Sequence, residues 1–338
     1  MSKPCLVFSL LLLACSSSPT VPAGGADAAS GGTKPSPSGG AGGGAAGAAA
    51  PPGAGGAGGR VAIDASDDLA ADAATSDTGA IDTITDDGAT AGCESTPSDD
   101  FSSAALGPCW KLLNGTAGNP LITTTVAAGA LHLRANGNQN GVWYRTSTKS
   151  LVYKELTAAN FKVTTTAHPR KATAPTMLPT KDLHVGGVMV RDPASNGGTT
   201  ESYLFLMVGH SENNDGTIHQ GVEFKTTVKG CSDYNEPDWG PSAAGPDADL
   251  RICRIGAAFR LYKRVPGDAT WTAAMPPAMA CPGNDISGAV LTRADLPQTL
   301  QVGLALNFSA PSDLDVAFDE FSFVALPADA TAGDCTSD

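Results

Sequence analysis

Residues 300–308 alternate strictly: Leu300, Val302, Leu304, Leu306 and Phe308 share one parity, and Gln301, Gly303, Ala305 and Asn307 the other. Alternate side chains of an extended chain point to opposite faces, so this stretch predicts a strand with one face in a core. The same two-residue beat recurs at 130–135, 141–145, 160–167, 184–191, 202–210, 219–228, 258–265 and 314–325. Turn residues separate several of these runs: Asp192 and Pro193 with residues 196–198, then Asn214, Asp215 and Gly216, then Pro266, Gly267 and Asp268. No long stretch repeats at 3.6 residues. Many strands punctuated by turns predict an all-β sandwich or barrel.

Two departures from strict alternation carry information. Residues 203–208 are apolar on both parities, which predicts a central strand with one face on the core and the other partly covered by loops. In the last strand Leu314, Val316 and Phe318 are even-numbered while Phe321 and Phe323 are odd. Either a bulge lies near Asp319 and Glu320, or both faces are covered.

Composition divides the 338 residues unequally. Between Cys15 and Gly92 there is no Phe, Trp or Tyr, and Ala, Gly, Pro, Ser and Asp dominate. Such a segment has too little apolar surface to offset the entropy of ordering it, so 15–92 is expected to be a disordered tether with a reach on the order of 50 Å. Its stretch from Asp64 to Asp87 holds eight Asp and no basic residue, and self-repulsion extends it. Residues 93–338 carry the remaining aromatics and form the expected folded domain. Residues 1–14 have Lys3 and then an apolar run from Leu6 to Leu13, the pattern of an export signal too short to span a bilayer. The string Leu12, Leu13, Ala14, Cys15 resembles the bacterial lipobox, which implies acylation of Cys15 and a membrane anchor. With Ser16 rather than Asp after it, that resemblance implies the outer membrane or surface of a Gram-negative cell. The formal charge of −13, with no basic run of five, argues against a nucleic-acid partner.

Within the folded segment, Asp99, Asp100 and Phe101 with Trp110, residues 186–191, Arg260, Leu261 and Tyr262 with Gly267 and Trp271, and Phe318, Asp319, Glu320 and Phe321 resemble the concanavalin A-like jelly rolls. Among them the chain is most similar to the accessory jelly-roll domain at the C-terminus of some xylosidases. The resemblance implies a sandwich of two antiparallel sheets, with Trp110, Tyr262 and Trp271 at core positions. It also implies a calcium site between first and last strands, for which Asp100 and Asp319 are the candidates.

Six cysteines remain once Cys5 is assigned to the signal and Cys15 to the lipid, and an exported domain with an even number is expected to form three disulfides. Cys231 is expected to pair with Cys253 around a polar insertion without strand pattern, closing a loop worth roughly 3 kcal/mol. Cys93 and Cys335 border the domain and are the second expected pair, because jelly rolls often bring their termini together.

No Gly-x-Ser-x-Gly, His-Glu-x-x-His or Cys-x-x-Cys motif is present. The enzymes of the jelly-roll group carry two catalytic carboxylates on one strand face; here Glu223 is followed on its face by Lys225 and Thr227. Binding is therefore favoured over catalysis. Sugars need flat aromatic rings beside planar polar groups, and Tyr234 and Trp239 in the insertion, with Arg191, His210 and Glu223 as a polar floor, are the candidate glycan-binding residues. The alternatives are a structural or adhesive lipoprotein that binds a protein partner, and a divergent glycoside hydrolase using Glu223.

Overall fold

A computed structural model describes residues 93, 95–116, 118–144, 150–212, 218–235, 247–274 and 281–338. Cys15, Trp239, the signal segment and the tether lie outside them. In chain order the first strands are β1 Lys111–Asn114, β2 Ile122–Ala127, β3 Ala130–Ala135, β4 Ser150–Thr157, β5 Asn160–Lys171 and β6 His184–Arg191. Next come β7 Tyr203–Glu212, β8 Ile218–Val228, β9 Cys231–Asn235, β10 Ala248–Ile255 and β11 Ala258–Arg264. The chain continues with β12 Thr272–Ala273, β13 Asp285–Ser287, β14 Val290–Thr292, β15 Thr299–Asn307, β16 Leu314–Phe318 and β17 Ser322–Ala325. They form two antiparallel sheets, the jelly-roll sandwich expected, with a single 3-10 turn at Gly198–Thr200 among the described residues.

The seven-stranded sheet runs β1-β4-β15-β6-β7-β8-β9. The ten-stranded sheet runs β13-β14-β11-β10-β5-β16-β3-β2, with β12 on β11 and β17 on β5. Even-numbered Val188, Val190, Leu204, Leu206, Val222, Phe224, Val302, Leu304 and Leu306 meet Leu250, Ile252, Phe259, Leu261, Val316 and Phe318 in one core between the sheets. Odd-numbered Met189, Tyr203, Phe205, Met207 and Ala305 form a second cluster with Trp143 on the outer face of the seven-stranded sheet. Both faces of β7 are thus buried, as its unbroken apolar run predicts.

The parity switch near the end is a bulge. Phe318 pairs with Ala167 and Ser322 with Thr164, so four steps along β16–β17 match three along β5. One extra residue returns Phe321 and Phe323 to the core after Phe318, although their numbering is odd.

The disulfides differ from both expected pairs. They join Cys93 to Cys109, Cys231 to Cys281 and Cys253 to Cys335. Cys231 sits on the edge strand β9 of one sheet, whereas Cys253 lies in β10 of the other, so the two do not meet. The supposed strandless insertion is bounded by these two strands. Cys93 is drawn instead to Cys109, 16 residues away, leaving Cys335 to fix the following segment to β10.

On the outer side of the ten-stranded sheet, charges alternate across strands. His168 Nε2 lies 2.9 Å from Asp319, and its Nδ1 is 3.3 Å from Asp247, which also holds Arg170 through contacts of 2.6 and 2.8 Å. The bond to Asp247, with a second to Asp319, raises the imidazole pKa to about 8 against the opposing effect of burial. A raised folded-state value means the stabilisation is complete below about pH 6.5 and is lost as pH rises through about 8. The urea midpoint is expected to fall across that window, and His168→Gln to remove this part of the slope; an unchanged pH profile in the variant would contradict the assignment.

Candidate functional site

The outer face of the seven-stranded sheet is built in cross-strand rows. Met189, Phe205, Lys225 and Tyr234 are successive register partners across β6, β7, β8 and β9, so they stand side by side on one face. In the neighbouring row Met207 stands opposite Glu223. Lys225 and Glu223 are two residues apart on β8 and share this face. Both are buried, at 3% and 0% exposure, and Lys225 Nζ lies 2.7 Å from Glu223 Oε1, an ion pair without the alignment of a directed hydrogen bond. The other carboxylate oxygen accepts from the Asn307 side-chain amide at 2.6 Å.

Asn307 ties this pair to the chain before β4. Its Oδ1 accepts the backbone N–H of Trp143 at 2.9 Å. Gly141 exchanges backbone hydrogen bonds with Phe308, and a Cβ at Gly141 would meet the Phe308 ring at 2.1 Å. A larger residue there cannot keep this approach, so glycine lets residues 141–144 lie against the end of β15. Trp143 is fully buried; its indole N–H reaches Ser150 Oγ at 2.7 Å and Leu306 O at 3.0 Å, and its ring meets Tyr203 edge-on at 5.4 Å. The next side chain, Tyr144, is turned outward and is 40% exposed.

Tyr144 and Tyr234, the latter 45% exposed, meet at 6.4 Å with their planes at 80°. Lys225 Nζ lies 5.8 Å from the first ring centroid, 5.4 Å from the second and 5.3 Å from that of Phe205. Cation–π attraction from a desolvated ammonium therefore fixes both tyrosines from below. From the edge, β9 is held by the Cys231–Cys281 disulfide and by Asp233, whose Oδ2 accepts the Cys281 backbone N–H at 3.0 Å and the Asn284 amide at 2.9 Å. The arrangement is a corner of two half-exposed phenol rings on a charged, buried base.

Of the sequence-derived candidates, the structure brings Glu223 and Tyr234 together and gives Arg191 and His210 other places. Arg191 is not a ligand group: it is 3% exposed, and its guanidinium binds Glu201 at 2.6 Å, Gln301 at 2.6 Å and the Ser195 carbonyl at 2.6 Å, closing the 192–202 connection. His210 stands across the β6–β7 ladder from His184 at the far end of the strand, on the parity opposite to Glu223. Trp239 lies outside the described residues. Asp100 caps its own turn, accepting from the Ser102 N–H and hydroxyl at 3.0 and 2.7 Å, while Asp319 serves His168. These two carboxylates are committed to separate partners, and among the described residues no three His, Cys, Asp or Glu side chains are grouped to hold a metal. Glu223 has a lysine and an amide beside it where a hydrolytic pair would place a second carboxylate. Tyr262 and Trp271 lie not in the main core but with Cys253 and Cys335 on the outer side of the ten-stranded sheet. Trp110 packs against the main core.

Tyr144 and Asn307 were not singled out by the sequence. Asn307 had one signal, a polar residue at the end of a run buried on both parities. Tyr144 had half a signal: in an extended segment Trp143 and Tyr144 point to opposite faces, so at most one of them faces a ligand, and which one turns outward depends on the distant Asn307.

A second concavity, a cleft of about 790 Å³, is lined by Thr96, Asp99, Trp110, Lys154, Glu320 and Phe321 among others. Its polar groups hold the fold together. Lys154 Nζ donates to the carbonyls of Thr96, Pro97 and Ser98 at 3.0, 3.2 and 3.3 Å and lies 4.7 Å from the Trp110 ring, while the Trp110 indole donates to Asp99 at 2.7 Å. Burial pushes the Lys154 pKa down, opposed by Asp99.

No protein-family profile matches the chain, and no curated protein matches it. Solved structures do resemble it in fold. The GH43 BlXynB protein from Bacillus licheniformis is 16% identical with a TM-score of 0.49, over 68% of this chain and 39% of that one. The VIP36 exoplasmic/lumenal domain in a Ca2+/Man3GlcNAc-bound form is 11% identical with a TM-score of 0.38, over 67% of this chain and 89% of that one. Lectin I-B4 from Griffonia simplicifolia, in a metal-free form, is 14% identical with a TM-score of 0.36, over 67% of this chain and 98% of that one. The chain thus spans about two fifths of the Bacillus licheniformis protein. At these identities and scores the likeness carries no argument about function, which is left to the residues.

The buried Arg191–Glu201 pair gives a direct check on the structural role assigned to it. Arg191→Met leaves Glu201 buried without its cation and is expected to cost about 3–5 kcal/mol in urea unfolding. A loss below about 1 kcal/mol would return Arg191 to the candidate ligand groups.

Proposed function

We propose that this chain is a non-catalytic glycan-binding module, carried at the membrane by a lipid on Cys15 and held off it by the tether of residues 15–92. The observation that carries the binding reading is the corner formed by Tyr144 and Tyr234. The apolar face of a pyranose stacks on one ring, the second ring forms a wall, and the two phenol hydroxyls meet the sugar's hydroxyl rim. Lys225 and Glu223 lie beneath the rings and act as positioning residues, since neither is exposed enough to reach a ligand. A rigid base lowers the ordering cost of binding, which matters for a site made of few contacts.

The test is titration of the full chain with a panel of plant, algal and bacterial polysaccharides. Tyr144→Ala and Tyr234→Ala are each expected to weaken binding about tenfold, the worth of one stacking contact of about 1–1.5 kcal/mol, with little change in unfolding midpoint. Binding that survives both substitutions would place the site elsewhere. Absence of binding to the whole panel would favour a structural or adhesive role towards a protein, and release of reducing sugar would favour a glycoside hydrolase.

The anchoring rests on the string Leu12, Leu13, Ala14, Cys15. Cys15→Ser is expected to move the protein from the membrane fraction, at the outer membrane of a Gram-negative host, to the soluble fraction. Retention in the membrane by the variant would count against lipidation.

A further inference from the structure

The outer side of the ten-stranded sheet concentrates cations in a chain whose formal charge is −13. Arg251 on β10 and Arg264 on β11 both lie over the Trp271 ring, with guanidinium carbons 4.0 and 4.2 Å from its centroid. Lys162 on β5 and Arg260 on β11 share this face, Arg260 standing opposite Cys253 in the register. The groups converge on residues 334–338. Asp338 Oδ1 receives Arg251 Nη2 at 3.1 Å, Arg264 Nη1 at 3.2 Å and the Trp271 indole N–H at 3.1 Å, and its Oδ2 receives Arg264 Nη1 at 2.9 Å. Arg251 Nη1 also donates to the carbonyls of Cys335 and Ser337 at 3.0 and 2.9 Å, and Lys162 Nζ to that of Ser337 at 2.6 Å.

Two features distinguish this cluster from ordinary docking of a chain segment. Arg251, Lys162 and Trp271 are all under one-tenth exposed beneath the segment, so the donors are held in place and covered, whereas the Asp338 side chain they bind is 61% exposed. The same sheet face also holds donor capacity that no acceptor uses: Nη1 of Arg260, opposite Cys253, is buried without a hydrogen-bond partner. Bonds from Arg264, then Trp271 and Arg251, hold the Asp338 carboxyl at about 2, the behaviour of a carboxylate in a cationic receptor.

We propose that Lys162, Arg251, Arg264 and Trp271 form a carboxylate-recognition site for uronic acid residues of an acidic glycan, filled in cis by residues 336–338 until a ligand displaces them. A uronate supplies the displaced acceptors in the same chemistry: its carboxylate replaces that of Asp338, and a ring hydroxyl oxygen replaces the Ser337 carbonyl, while the Cys335 carbonyl stays on Arg251. The choice of a glycan as ligand rests on the function proposed above, but the site is separate from the Tyr144–Tyr234 corner. The cis segment lowers the apparent affinity by the fraction of time it occupies the site, and the Cys253–Cys335 disulfide keeps it near.

Calorimetric titration of the full chain with a galacturonic acid trimer tests this. Asp338→Asn, at an exposed position, is expected to bind the trimer about tenfold more tightly than the native chain, because the occupant is weakened. Adding Arg264→Gln to it is expected to abolish the gain, with Arg264→Lys retaining part of it. Raised salt should weaken the trimer interaction, and Tyr144→Ala should leave it unchanged, which separates this site from the stacking corner. Equal or weaker binding by Asp338→Asn overturns the proposal, as does a gain insensitive to both Arg264 variants. Displacement of the trimer by an acidic hexapeptide of equal charge, with higher affinity than the trimer itself, would also overturn it in favour of a peptide ligand.

Discussion

Burial of both faces of the seven-stranded sheet is the constraint from which most of the structure follows. One face of β6, β7, β8 and β15 meets the second sheet, and the other carries Tyr203, Phe205 and Met207 with no exposure to solvent. A charge on such a face costs several kcal/mol unless it is paired and hydrogen-bonded. The two charged groups that β8 places there are therefore found together, Lys225 against Glu223, with Asn307 completing the carboxylate's hydrogen bonds. Arg191 at the other end of the face is satisfied by Glu201 and Gln301 in the same way. Polar residues within this face are there to be matched with one another, and side chains reach solvent at its margins, Lys111 and Glu155 on the β1 side and Tyr234 on the β9 side.

The β9 margin explains why two tyrosines stand half-exposed. Edge strands need protection from pairing with other chains, and β9 is a short edge of five residues fixed by a disulfide and by Asp233. Tyr234 cannot turn inward because Lys225 and Phe205 already fill the row beside it. Tyr144 cannot turn inward because Trp143 has taken the buried position, its backbone N–H held by Asn307. Each ring is left outside by a neighbour that is fully inside, so the corner is a by-product of core packing made rigid by it.

Strand positions were legible wherever one face alternated cleanly. β3 and β6 lie where the alternation placed them, and β15 within a residue of it. Even the break between β16 and β17 was readable, as a change of parity with one residue too many. What was hidden had a common cause. β4 and β10 carry Lys154, Arg251 and Arg254, basic residues whose burial is tolerated because carbonyl and carboxylate partners arrive from elsewhere in the chain. Nothing local announces those partners. The disulfides were hidden for the same reason: chain distance favoured Cys231 with Cys253, but sheet membership put them on different layers. The alternation at 141–145 reads as a strand, whereas Gly141 makes a single bridge to Phe308 that delivers Trp143 and Tyr144 to the outer face.

The two outer faces of the sandwich consequently rest on different forces. On the seven-stranded sheet the charges cancel beneath aromatic rings, leaving a surface that offers a proposed ligand stacking and shape. On the ten-stranded sheet, Arg251 and Arg264 lie over one indole with Lys162 on the same face, balanced by Asp249 and by the acidic residue 338. Coulombic contacts there are screened at an ionic strength that leaves stacking almost untouched. A fold that buries its apolar residues in three separate clusters can keep these surfaces independent, because the core between the sheets insulates one from the other. Changes at one face can then leave the other undisturbed, which is what the two proposed binding surfaces require of a single sandwich.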